Sequence, residues 1–214
     1  MCIRDSVDWI FGTGGAFEGL YTFFEEYDEE WMEANGVEDG LLYESEDEAY
    51  LQDLGPDALG DLWDQKEPED APHDELADLA AAVDGPPGAG STADLLDQVD
   101  VADLVSYYAV NAVLGNIDTL NHNIWLVQDP ASERWTPLHW DLDLTFGQPA
   151  GAPSTPPIMP SIVHLSAALG SDARLTEMVL RRIRTVADEV LGPDGVASWI
   201  DPLQAETATD QALD

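Results

Sequence analysis

Apolar residues along this chain follow two rhythms. Between residues 101 and 113, Val101, Leu104, Val105, Tyr108, Ala109, Ala112 and Val113 recur at i, i+3, i+4 spacing, which predicts a helix with one buried stripe. Asp100 stands where an N-cap belongs and Gly115 where the helix must stop. A polar loop, Asn116 to Asn123, comes next, followed by two runs of strand character, Ile124–Val127 and Trp135–Trp140. Asp129-Pro130-Ala131-Ser132 separates them as a turn, so a hairpin is predicted.

Elsewhere the pattern is thinner. Aromatic residues with rough alternation predict a strand over Phe17–Glu25, and Leu41-Leu42-Tyr43 a second, shorter one. Asp28 as cap and Asn35-Gly36 as stop bracket a short helix. Leu76, Leu79, Ala80 and Val83 share one face of a helix over Asp74–Val83, and Gly85 to Ser91 reads as a loop. After a Pro-rich connection to about Pro160, helices are expected over Asp172–Leu191 and from Pro193 to Leu203 or beyond. Helices and short antiparallel strands are thus segregated, which makes the fold class α+β rather than a doubly wound sheet.

Composition narrows the function. Asp and Glu number 44 against 7 Lys and Arg, a formal charge of −37. No basic face is available to replace phosphate counterions, so nucleic acid is excluded as a partner. Adhesion to an anionic membrane is disfavoured for the same reason, and no apolar run reaches the length of a membrane span. With 44% hydrophobic residues the chain can build a core. The single cysteine, Cys2, allows neither an internal disulfide nor a cysteine metal cluster. Met1 to Ser6 is read as a leader foreign to the fold. The acidity fits either a saline habitat or a basic protein substrate.

Most of the carboxylates belong to a solvated surface. The informative ones interrupt apolar structure: Asp118 in the loop after the regular helix, and Asp141 and Asp143 directly after the second hairpin strand. Together with Asn123 they offer hard oxygen donors suited to Mg²⁺, and a carboxylate able to accept a hydroxyl proton. These are the parts from which phosphoryl transfer is assembled. Asp141-x-Asp143 is equally open to a calcium-loop reading. His122 and His139 alternate with aromatic strand residues and read as packed histidines rather than zinc ligands. Asp118 and Asn123 have the Asp-x₄-Asn spacing of a kinase catalytic loop. With 27 Asp and five Asn in the chain, that spacing arises by chance about 0.6 times, so it counts only in its context of helix, loop, hairpin and Asp-led segment.

In that context the chain resembles the spore-coat protein H (CotH) kinase family. Leu114-Gly115-Asn116-Ile117-Asp118, His122-Asn123 and Trp140-Asp141-Leu142-Asp143-Leu144-Thr145-Phe146-Gly147 carry the likeness, supported by Gly19-Leu20-Tyr21, Glu25 and Asp28. The resemblance implies an atypical, exported or cell-surface protein kinase with a two-lobed fold. Such a kinase moves the γ-phosphoryl of ATP to Ser or Thr of a protein substrate with Mg²⁺ or Mn²⁺. Asp118 would then be the catalytic carboxylate, and Asn123 and Asp141 metal ligands, with Asp143 a lesser one. Glu25 would be an acidic residue on the nucleotide side. Residues 7–90 would form a partial small lobe, whose first part lies upstream, and an acidic connection, and 91–214 a largely helical large lobe with the hairpin beside the active site. The family's Leu-Tyr-Lys element reads Leu42-Tyr43-Glu44 here, and Lys66 is the sole lysine. That substitution leaves a second class of function open: a degenerate kinase fold kept for adhesion or calcium-dependent assembly.

Overall fold

The computed structural model describes residues 25–47, 51–69, 72–84, 89–116, 122–146, 163–192 and 195–211. Residues Asp28–Ala187 form one compact unit; 25–27 and the chain from Asp188 belong to a second.

In the larger unit, helix α1 (Glu29–Asn35) is bounded as its sequence dictates. The Asp28 carboxylate accepts the Trp31 N–H at 2.8 Å, and Gly36 closes the helix with φ +74°, a left-handed conformation that glycine adopts without steric cost. Strand β1 (Leu41–Asp47) follows, then a single turn, α2 (Pro56–Leu59), and strand β2 (Asp64–Glu67). Helices α3 (Asp74–Asp84), α4 (Ala89–Gln98) and α5 (Val101–Leu114) precede the hairpin of β3 (His122–Asp129) and β4 (Arg134–His139). Helices α6 (Val163–Ser171) and α7 (Ala173–Glu189) come after it. Helix α8 (Gly195–Gln211) lies in the second unit. Among the described residues no helix is long and apolar enough to cross a membrane.

The four strands make one antiparallel sheet in the order β2-β1-β3-β4. The fold is therefore a mixture of helices and a small antiparallel sheet, as the segregated pattern implied. The hairpin does not stand alone, however: β1 pairs along β3, with Leu42 opposite Val127 and Glu44 opposite Trp125. One continuous sheet thus joins strands from either side of residue 90. β1 is a central strand with both faces covered, since Leu42, Tyr43, Glu44 and Ser45 are all buried. Its polar half is accommodated because its groups are paired; the Ser45 hydroxyl donates to the Leu62 carbonyl at 3.0 Å.

Several boundaries differ from the sequence reading. Helix α4 begins at Ala89, inside the stretch read as a loop to Ser91. Strand β2 and helix α6 were not foreseen, and β4 ends at His139 rather than Trp140; α8, from Gly195 to Gln211, runs beyond Leu203 as expected. The strand expected over 17–25 and the Pro-rich connection after Gly147 lie outside the described residues, apart from Glu25, which belongs to no element.

One sheet face bears the core. Tyr43, Ile124, Leu126 and Trp135 join Leu76, Leu79, Leu95, Leu104, Tyr108 and Leu165 in one buried cluster. Each such large apolar side chain contributes about 1.5–3 kcal/mol by leaving water. The alternate residues Leu42, Glu44, Trp125 and Val127 point to the other face.

Candidate functional site

Helix α5 and strand β4 run side by side in the same direction, and their contacts form a ladder. At the start, the Asp100 N–H donates to the Trp135 carbonyl at 3.0 Å. The Asp100 carboxylate caps α5 through the Ala102 and Asp103 N–H groups at 2.9 and 3.0 Å. Farther on, the Tyr107 ring stacks on His139 with centroids 4.6 Å apart. At the far end the Phe146 N–H donates to the Leu114 carbonyl at 2.7 Å. A 14-residue helix rises about 21 Å. The chain after β4 therefore reaches the C-terminus of α5 at Phe146, seven residues past the end of the strand.

The C-terminus of α5 is fixed firmly there. Gly115 (φ +64°) donates to the Ala112 carbonyl and Asn116 N–H to the Asn111 carbonyl, the paired bonds of a Schellman stop. Asn116 is fully buried, and its amide donates to Asn111 Oδ1 at 3.1 Å, while the Asn111 amide donates to the Tyr107 carbonyl. Asp118 lies just beyond, in 117–121, outside the described residues. The chain re-enters at His122 as β3.

The hairpin register then sets the next two candidates. Ile124 pairs with His139, so Asn123 falls opposite Trp140, and Asp141 is one residue farther along. Both Asn123 and Asp141 have left-handed backbone, φ +56° and +45°. Asn and Asp tolerate this region better than other non-glycine residues, and such strained positions concentrate where a side chain must be aimed. Asn123 is half-buried and Asp141 exposed. Asp143 is exposed on the turn that follows, where the Thr145 hydroxyl donates to the Leu142 carbonyl at 2.9 Å. Of the candidates read from sequence, Asn123 and Asp141 thus both fall at the end of the hairpin away from its turn. Glu25 is an exposed residue of the second unit.

His139 is a packed histidine: burial lowers its pKa to about 4, so it is neutral at physiological pH. Among the described residues no three His, Cys, Asp or Glu side chains are grouped to hold a metal ion. The donors at the hairpin end are instead one amide and one carboxylate. Hard oxygen donors of this kind fit an ion that keeps water and phosphate oxygens in its shell, as Mg²⁺ does.

One pair escaped the sequence reading. On the sheet face opposite the core, Lys66 Nζ of β2 lies 2.7 Å from Glu44 Oε2 of β1 and 2.7 Å from Asp64 Oδ2. The same ammonium stands 5.6 Å from the centre of the Trp125 ring, and Trp125 lies 5.6 Å from Trp140. Burial works against the charge on Lys66, but hydrogen bonds to Asp64 and Glu44 outweigh it and hold its pKa above the ordinary value. The sequence shows only that Glu44 ends the apolar run Leu41-Leu42-Tyr43. Its partner was invisible because β2, Asp64-Gln65-Lys66-Glu67, carries no apolar alternation.

A family model described as CotH kinase protein matches residues 11–213, nearly the whole chain. No curated protein matches it.

Proposed function

Because the chain belongs to the CotH kinase family, we propose that it is a two-lobed, ATP-dependent phosphotransferase that modifies Ser or Thr of protein substrates outside the cytoplasm. The observation that supports this reading is the family match over residues 11–213, with Asn123 and Asp141 both at the end of the hairpin away from its turn.

The roles follow from side-chain chemistry. Asp118 would accept the proton of the attacking hydroxyl. Asn123 and Asp141 would hold Mg²⁺ or Mn²⁺, with Asp143 as an additional carboxylate, and Glu25 would act on the nucleotide side. When bound, the ion would offset charge on the phosphates. Mg²⁺ usually keeps several waters and is held by one or two carboxylates and substrate phosphates, so a set this small suits it. A net charge of −37 repels free ATP and attracts basic substrates, so the nucleotide would arrive as its metal complex.

The test is transfer of labelled γ-phosphate to Ser- and Thr-containing basic peptides with Mg²⁺ or Mn²⁺. Asp118→Asn and Asp141→Asn should each lower transfer at least a hundredfold while leaving the circular dichroism spectrum unchanged. Transfer that persists in both variants would remove the assignment.

A further inference from the structure

A nucleotide triphosphate needs a cation on the protein as well as a metal, and on a chain this acidic few can serve. Arg134 opens β4 opposite Asp129, at the end of the hairpin away from Asn123 and Asp141. Arg174, Arg181, Arg182 and Arg184 are exposed on α7. Lys66 differs from all of these. Its ammonium reaches across the sheet from β2 to stand over Trp125 of β3, on the face where Trp125 meets Trp140, the residue before Asp141.

From this placement we infer that Lys66 is the phosphate-binding cation of the site, presented from β2 and held in position by Glu44 of β1. The inference rests on the phosphotransferase reading and adds to it the residue that recognises the triphosphate. Two details make the group fit for the task. Glu44 is only 7% exposed, so it anchors the ammonium from the buried side, while the Lys66 side chain keeps 32% of its surface open. An ammonium also has three donors, and the carboxylates of Glu44 and Asp64 engage two, leaving one for a ligand.

The experiment measures the affinity of the full chain for two probes, Mg·ATP and Mg·tripolyphosphate. Lys66→Met is the primary variant. The double variant Glu44→Gln/Lys66→Met removes both charges, so no buried carboxylate is left unpaired and the fold is protected. Arg134→Met serves as control. The expected result is about tenfold weaker binding of both probes in the single and the double variant, with the control unchanged. If the wild type binds, Asp141→Asn abolishes binding, and both Lys66 variants retain full affinity, the Lys66 assignment is overturned and the phosphotransferase reading stands. A loss confined to Mg·ATP would also overturn it, because the contact would then not be with phosphate. A wild type that binds neither probe overturns both.

Discussion

Tyr107 of α5 and His139 of β4 lie ring against ring, their centroids 4.6 Å apart and their planes 22° from parallel. This contact holds the helix and strand in register midway along the ladder that ends at Leu114 and Phe146. Burial keeps His139 neutral, with a pKa near 4 against an ordinary 6.5.

Stability should therefore depend on pH in a defined direction. Below 6.5 the unfolded chain binds a proton at this histidine that the folded chain refuses. Stability attributable to His139 is complete above 6.5 and is lost as pH falls towards 4, by up to about 3 kcal/mol. His139→Phe retains the stack and cannot titrate. Urea denaturation of both proteins at pH 7 and pH 5 should show the wild type losing more stability than the variant. The carboxylates common to both cancel in that difference. Equal losses would mean that His139 is not buried as described.

The Glu44–Lys66 pair leads to a second expectation. Lys66→Met leaves the Glu44 carboxylate buried and uncompensated, at a cost of about 1–3 kcal/mol. Changing Glu44 to Gln in the same chain should recover part of this cost. A double-mutant cycle by denaturant unfolding gives the coupling directly. Additive single effects would show that the two charges do not depend on one another.

The stop of α5 can be tested by itself. Gly115→Ala places a side chain at φ +64°, costing about 1 kcal/mol, and Asn116→Ala strips the buried Asn111 oxygen of its donor, costing about 1–3 kcal/mol. Hydrogen exchange at Asn111 and Asn116 should quicken in both variants. Unchanged exchange would show that these bonds do not hold the end of α5.

How far the sequence could be read depended on whether each element's cause was local. Helix α5, the hairpin and helix α1 carry their caps, stops and periodicity within themselves, so Asp100, Gly115, Asp28 and Gly36 could be assigned before any coordinates. That Asn123 and Asp141 fall at one end of the hairpin also needed only the hairpin itself. The four-stranded sheet could not be read, because β1 owes its central position to long-range pairing with β3, and β2 owes its existence to β1. Nothing local foretold that Glu44 is buried; a lysine 22 residues away makes its burial tolerable. Helix α4 was obscured by Gly90 and Ser91, weak helix formers, and its packing against α3, α6 and β4 overrides that preference.

The most direct measurement is calorimetric titration of the full chain with a non-hydrolysable ATP analogue, with Mg²⁺ and again with the metal chelated. Binding should appear only with Mg²⁺, and Asn123→Ala and Asp141→Asn should each weaken it at least tenfold. Binding that is indifferent to the metal and to both substitutions would contradict the site described here.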